Sequence, residues 1–245
     1  MKQSIFEIKE NIALNQSIMK MVLLGNTSNI TKPGQFVNIK IDGLYLRRPI
    51  SVNDYDNETL TLIYKIVGKG TEKMAQLKVG DKLDILTGLG NGYDMSKAGD
   101  KVLLIGGGVG VPPLFNLAKK LIAQNKKVEV VLGFNTKNEI FYEAEFEAIG
   151  ANVHVTTVDG SYGIKGFVTD AISSLDYDYF YTCGPEPMLK AVYKATKTSG
   201  QFSFEERMGC GFGACMGCTC KTLYGNKRIC KDGPVLEKEE IIWGD

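Results

Sequence analysis

Residues 101–122 read KVLLIGGGVGVPPLFNLAKKLI, and their pattern decides the fold. Residues 101–105 are almost wholly apolar, as expected of a strand buried on both faces of a parallel sheet. Leu114, Leu117, Ala118, Leu121 and Ile122 then recur at the spacing of one helical face. Between them lies a turn of small residues, Gly106, Gly107, Gly108 and Gly110. Pro113 fits the first helical turn, where its missing N–H would be unpaired anyway. A strand, a glycine turn and a helix let backbone approach a pyrophosphate at a helix N-terminus. The competing reading is a tight turn that binds nothing. The turn also departs from the G-x-G-x-x-G form, since Pro113 stands where the third glycine would be. No acidic residue closes the next strand: Leu132 leads into Gly133-Phe134-Asn135-Thr136-Lys137, so the carboxylate that reads a ribose in that fold is missing. Asn135 and Thr136 suit a free ribose and Lys137 a 2′-phosphate, so the residues leave NAD against NADP open.

Downstream, strand and helix alternate. Residues 127–132, 151–157 and 178–182 read as strands. Residues 141–148 and 186–198 read as helices, the second with Leu189, Val192, Tyr193 and Thr196 on one face. This half is α/β with a parallel sheet. Upstream, residues 37–41 (VNIKI) and 59–66 (TLTLIYKI) are β-branched at period two. Pro33-Gly34, Asn53-Asp54 and Gly80-Asp81 mark turns, and a short helix fits near residues 72–77. Several short strands at this spacing predict an antiparallel β-barrel. The expected organisation is a barrel over 1–97, an α/β nucleotide domain over 98–202 and a small loop domain over 203–245.

The chain has 245 residues with 29 basic and 28 acidic side chains, a net charge of +1. That balance excludes an electrostatic nucleic-acid binder. No apolar run is long enough for a membrane span, and MKQSIFEIKE lacks the apolar stretch of a signal peptide, so a cytoplasmic location is expected.

Six cysteines accompany one histidine, and five of the six fall between Cys210 and Cys230. Cys210, Cys215 and Cys218 read C-x4-C-x2-C, and Cys230 follows. This is the spacing of plant-type ferredoxin loops that hold a [2Fe–2S] cluster. Thiolates must converge from a loop that wraps a compact core, and Gly209, Gly211, Gly213, Ala214 and Gly217 supply the small side chains such a loop needs. Disulfides, a structural zinc and free thiols are the rival readings. Zinc sites usually carry two paired knuckles, and only Cys215 and Cys218 make one. Cys220 falls outside the pattern. The segment as a whole has too few apolar residues for a core, so something else must hold it. A hairpin around Gly225-Asn226 is expected within it.

Other candidates carry weaker signals. Cys183-Gly184-Pro185 ends a strand where ligands collect, and Cys183 reads equally as a nicotinamide-pocket thiol or a buried small residue. Arg48 and Ser51, after Arg47, suit a diphosphate, and Gly68-Lys69-Gly70-Thr71 opens a helix that offers N–H groups to the same anion. His154, mid-strand between valines, reads as structural or solvent-facing rather than catalytic. A nicotinamide gives two electrons at once and an iron–sulfur cluster takes one at a time, so a flavin is needed between them.

With these motifs in place, the chain resembles the electron-transfer subunits of type B dihydroorotate dehydrogenases, within the ferredoxin–NADP reductase superfamily. The resemblance runs nearly end to end. It rests on Pro33-Gly34-Gln35-Phe36-Val37, Arg48-Pro49-Ile50-Ser51, the loop from Gly107 to Pro113, Asp159-Gly160-Ser161-Tyr162-Gly163 and Cys183-Gly184-Pro185-Glu186-Pro187-Met188-Leu189. Most specific are Glu206-Arg207-Met208-Gly209-Cys210 with the glycine–cysteine run after it, and Cys230-Lys231-Asp232-Gly233-Pro234-Val235. Ile50 stands where the superfamily has Tyr. The resemblance implies FAD on the barrel, contacted by Arg48, Pro49, Ile50, Ser51, Ile63, Tyr64, Lys65, Gly70 and Thr71. It implies NAD(H) at Gly107, Gly108, Gly110 and Cys183, with cluster ligands Cys210, Cys215, Cys218 and Cys230. It also implies a partner, an FMN-containing catalytic subunit that oxidises dihydroorotate to orotate in pyrimidine biosynthesis, in a two-plus-two heterotetramer. Electrons then pass from that FMN through the cluster and FAD to NAD⁺. Phe212 and Met216 are expected either to pack on the partner or to shield the cluster. The rivals are a flavin subunit serving a hydrogenase, ferredoxin or sulfur reductase, and a zinc-stabilised nucleotide-binding interaction module without redox turnover.

Overall fold

The computed structural model describes residues 1–243; the last two residues of the expected C-terminal domain lie outside the described residues. Six antiparallel strands close a barrel: β1 (Lys2–Ala13), β2 (Ile18–Leu24), β3 (Phe36–Ile39), β4 (Arg48–Tyr55), β5 (Thr59–Lys65) and β6 (Lys82–Leu89), in the order β1-β2-β5-β4-β3-β6. Alternation along each strand turns Phe6, Ile8, Met21, Leu23, Ile39, Leu62 and Ile85 into the interior. Helix α1 (Lys69–Gln76) closes one end with Met74. Asn11 Nδ2 donates to the carbonyls of Met74 and Leu77, both at 2.9 Å, and so satisfies the end of that helix.

The second half alternates as expected. It runs β7 (Lys101–Gly107), α2 (Pro112–Ala123), β8 (Lys127–Phe134), α3 (Glu143–Ala148), β9 (Asn152–Thr157), β10 (Ile164–Lys165), α4 (Val168–Ile172), β11 (Tyr179–Cys183), α5 (Glu186–Ala195) and β12 (Gly200–Ser203). The C-terminal segment adds β13 (Thr219–Thr222), β14 (Gly225–Arg228) and β15 (Val235–Glu237). The large sheet has the order β10-β9-β8-β7-β11-β12-β15, parallel except for β15, which pairs antiparallel with β12. The order reverses between β7 and β11, where open sheets of this kind bind ligands at the strands' carboxyl ends.

Four details differ from the expectations. The helix over 186–198 stops at Ala195, because Lys238 Nζ takes the Thr196 carbonyl at 2.6 Å and the chain then enters β12. The helix over 141–148 begins at Glu143, since Tyr142 has φ 70° and packs inward with Phe141. The C-terminal hairpin turns at Leu223-Tyr224, two residues early, with Thr222 opposite Gly225. Finally, the tail does share a core. Cys218, Ile229, Cys230, Leu236 and Ile241 are buried with Phe36 and Leu89 of the barrel and Phe180 and Phe202 of the sheet.

Barrel and sheet meet where α2 lies on β4. Asp54 accepts from Asn116 Nδ2 and from Lys119 Nζ, both at 2.6 Å, and Asn53 Nδ2 donates to the Tyr142 hydroxyl at 2.9 Å. No helix among the described residues is long and apolar enough to cross a membrane. Asp54→Ala leaves the buried Asn116 amide without its acceptor, so it should destabilise the chain by about 1–3 kcal/mol, measurable as a lower urea midpoint.

Candidate functional site

One cavity of about 580 Å³ opens at the reversal of the sheet. Its floor is the turn from β7 to α2, Gly107 to Gly110. One flank is the end of β8 and its following loop (Gly133, Phe134, Asn135, Glu139). The other is the start of α5 (Gly184, Pro185, Pro187, Met188) with Glu205, and the barrel contributes Ser17, Ile18 and Lys65. Both α2 and α5 point their N-termini here, and both carry proline in the first turn. The field therefore favours an anion, while the N–H donors come from the glycine turn itself. The glycines have separate physical reasons. A Cβ on Gly110 would overlap the Cys183 carbonyl, and one on Gly107 would meet Met188 Sδ. Gly108 has φ 52° and faces open space.

Cys183 is buried and contributes no lining atom to this cavity; its carbonyl braces the glycine turn and its neighbour Gly184 forms the wall. Burial, with the nearby Glu205 charge adding to it, lifts the Cys183 thiol well above the ordinary thiol range, so it stays neutral. Glu205 lines the cavity as an exposed side chain, and partial loss of solvation against the cavity wall raises its carboxyl.

The barrel candidates divide. Arg48 crosses the first turn of α1 so closely that a Cβ on Gly70 would overlap its Nε, and its Nη1 donates to the Leu46 carbonyl. Thr71 Oγ1 accepts from the N–H of Val67 at 2.9 Å and donates to the Gly68 carbonyl at 3.1 Å, which sets the helix start. Arg47 belongs elsewhere, held on Asp84 at 3.0 Å. Pro49, Ile50 and Ser51 line β4 half-exposed. Lys65, at the end of β5, reaches the cavity, whereas Ile63 and Tyr64 are buried, the Tyr64 hydroxyl bonding Asn11 Oδ1 at 3.2 Å.

The cysteines form two pairs. The N–H groups of Ala214 (3.2 Å), Phe212 and Cys215 (both 3.5 Å) point at Cys210 Sγ, and Cys210 N–H points at Cys215 Sγ at 3.5 Å. Cys230 N–H points at Cys218 Sγ at 3.4 Å. Burial works to raise the Cys210 thiol, but the Phe212, Cys215 and Ala214 donors prevail and bring it down to about 6. Cys230, buried and beside the Cys218 sulfur, is pushed up to about 12. Two pairs of sulfurs match the demand of a two-iron cluster. Cys220 lies half-buried on β13, against the same core as Cys218 and Cys230, and burial raises its thiol.

Sequence reasoning missed the residues that hold this segment in place. Asn38 Nδ2 donates to the Cys210 carbonyl at 3.2 Å, and Arg228 Nη1 to the Gly213 carbonyl at 2.9 Å. Asn91 takes the stretch after Cys230: its N–H bonds the Gly233 carbonyl at 2.7 Å, its Nδ2 the Val235 carbonyl at 2.7 Å, and its Oδ1 accepts from Val235 N–H at 3.1 Å. An asparagine in a turn carries no local sign of such a role. His154, as expected, is structural, bonded to Glu129 at 2.7 Å.

Comparison with known proteins gives this arrangement its family. A model for the iron-sulfur cluster binding domain of dihydroorotate dehydrogenase B matches residues 205–242, and one for an oxidoreductase NAD-binding domain matches residues 104–194. The dihydroorotate dehydrogenase B (NAD⁺) electron transfer subunit of Fusobacterium nucleatum is 45% identical over 250 residues, covering 96% of each chain. That of Shouchella clausii is 43% identical over 256 residues, covering 98% of each. The chain belongs to the dihydroorotate dehydrogenase B electron transfer subunits. The solved NADH-dependent reduced ferredoxin-NADP oxidoreductase, at 30% identity, superposes with a TM-score of 0.90 over 98% of this chain and 90% of its own. The FAD/NAD-binding domain of a Vibrio cholerae nitric oxide dioxygenase, 23% identical with a TM-score of 0.68 over 78% of this chain, shares the fold.

As an electron transfer subunit of this family, the chain is an oxidoreductase component that works with FAD, a [2Fe–2S] cluster and NAD(H). Its residues fit these groups. The sulfur pairs suit two irons, Gly108 of the glycine turn faces open space with φ 52°, and Gly70 leaves room for a guanidinium at a helix start. Gly110→Ala sets a Cβ against backbone that has no room to yield. It should cost about 1–3 kcal/mol in stability, read as a lower urea midpoint at unchanged slope.

Proposed function

We propose that Cys210 and Cys215 hold one iron of the cluster and Cys218 and Cys230 the other. The observation that carries this is the pairing of sulfurs through backbone donors, Cys210 with Cys215 and Cys218 with Cys230. Arg48, with the N–H groups at the start of α1 about Gly70 and Thr71, takes the FAD diphosphate. Pro49, Ile50 and Ser51 flank the flavin from β4, and Ile63, Tyr64 and Lys65 from β5, with the Tyr64 contribution coming from its backbone. Gly107, Gly108 and Gly110 take the pyrophosphate of NAD(H), and Cys183 supports the nicotinamide side through its main chain. When bound, the flavin trades a hydride with the nicotinamide and single electrons with the cluster.

The register supports closeness of the two redox regions. Ser51 pairs with Phe36, and Phe36 packs in the same buried group as Cys218 and Cys230. The partner in this reading is an FMN-containing catalytic subunit that oxidises dihydroorotate, assembled two-plus-two with this chain in the cytoplasm. His154, the chain's one histidine, is engaged by Glu129, in keeping with a chain that carries electrons and leaves the ring chemistry to the partner. Phe212 and Met216, exposed beside Cys215, give the apolar contact through which that subunit docks.

Two experiments test the assignment. Cys215→Ser should lose the cluster's visible absorbance and about two irons per chain, and with them electron exchange with the partner. NADH oxidation by ferricyanide should persist. Cys220→Ser should keep its iron; iron lost from Cys220→Ser but retained in Cys215→Ser overturns the ligand set. Separately, Gly70→Ala displaces Arg48 and should weaken FAD retention by about tenfold or more with little loss of fold stability, measured by flavin release on dilution. Full flavin occupancy in that variant would remove Arg48 from the site.

A further inference from the structure

The second strand of the sheet, β8, ends without an acidic residue, yet the fold brings one back to that place. After Phe134 the chain makes a 3₁₀ turn at Lys137–Glu139 and returns Glu139 onto Asn135. Asn135 N–H donates to Glu139 Oε2 at 3.2 Å, and Asn135 Nδ2 donates to the same oxygen at 2.9 Å. From the barrel, Asn15 Nδ2 donates to the Glu139 carbonyl at 3.1 Å, so the residue is fixed at both backbone and side chain. Glu139 and Asn135 line the cavity together with the glycine turn. Among the described residues no hydrogen bond occupies the second carboxylate oxygen, Oε1.

Lys137 is turned away. It contributes nothing to the cavity lining; its Nζ lies over the Tyr162 ring, 5.8 Å from the centroid, and its N–H is taken by Ser161 Oγ at 2.8 Å. The cation that the loop sequence offers to a 2′-phosphate is therefore absent from the wall, and a carboxylate stands in it.

We propose that Glu139 selects NAD(H) over NADP(H) in this chain. The deduction rests on the reading of the cavity as the dinucleotide site. In a sheet of this order the pyrophosphate sits over the β7 turn, and the adenosine ribose falls beyond the end of the adjacent strand, β8. Glu139 is there, with Oε1 placed to accept from the ribose 2′- and 3′-hydroxyls. A 2′-phosphate would instead put two like charges together at the end of β8, and the lysine that lines the cavity, Lys65, comes from the barrel strand β5 and not from that loop. The other carboxylate of the cavity, Glu205, stands across it beside α5 and has no part in this discrimination.

The test uses the flavin- and cluster-loaded chain. Dissociation constants for NAD⁺ and NADP⁺ are measured by calorimetry, alongside kcat/KM for NADH and NADPH with ferricyanide. In Glu139→Gln the preference for NAD⁺ should fall by at least about tenfold, through tighter NADP⁺ as well as weaker NAD⁺. Glu139→Asp, which keeps the charge, should retain most of the preference. An unchanged ratio in Glu139→Gln, with NAD⁺ still bound, overturns the assignment of Glu139 and leaves the cavity reading standing. Failure of NAD⁺ to bind the native chain at all overturns both.

Discussion

The clamp that Asn91 places on residues 232–235 is the contact on which the rest of the arrangement turns. One side chain uses both its donor and its acceptor on main-chain groups of a segment more than a hundred residues away, and its own N–H adds a further bond. Immediately after, β15 joins the edge of the large sheet beside β12. The cysteine segment is thus tied to the barrel on one side and to the nucleotide sheet on the other. Electron exchange falls steeply with distance, so a chain that carries several redox groups needs their mutual positions fixed. Here the fixing is done by ordinary hydrogen bonds and shared apolar burial, with Phe36 and Leu89 from the barrel and Phe180 and Phe202 from the sheet packed around Cys218 and Cys230.

The large cavity illustrates how position sets charge. Two helices aim their N-termini at it, and each spends early turn positions on prolines that have no N–H to give. Anion binding therefore depends on the glycine turn, which can pack against Met188 and the Cys183 carbonyl only because Gly107 and Gly110 lack a Cβ, and which faces open space at Gly108. The carboxylates lie at the two flanks, Glu139 beside β8 and Glu205 beside α5, away from the floor where a pyrophosphate's charge would sit. A positive floor between negative flanks is the pattern a dinucleotide with neutral riboses demands.

What the sequence revealed follows from how local each signal is. The glycine turn and its flanking strand and helix were legible because strand, turn and helix are contiguous and each has its own period. The cysteine spacing was legible because ligands of one loop must keep their intervals. The barrel followed from strand composition and turn residues. Glu139 was not legible: the rule looks for an acid at the strand's end, whereas here a 3₁₀ turn carries it back from four residues beyond Asn135. Nor was β15, whose three residues VLE are too short for a period and become a strand only because β12 offers an unpaired edge. The shared core of the tail escaped for a similar reason. Its few apolar residues suffice because most of their neighbours belong to other elements.

Cys183 joins these strands of reasoning. Its type suggested either a thiol presented to a nicotinamide or a small residue filling space. The sulfur stays out of the cavity, neutral under the combined effect of burial and the charge of Glu205. The backbone does the work at the site: the Cys183 carbonyl stands against Gly110, and Gly184 forms the wall. A larger residue at position 183 would have to find volume on the face of the sheet where Cys183 is buried in one cluster with Tyr93, Val111, Leu114 and Tyr181. The close approach at the turn is made by the Cys183 main chain, so it is position 110 that must stay without a side chain, while the sulfur packs in the core. Packing and binding are one constraint at this strand end, expressed on two sides of the same peptide.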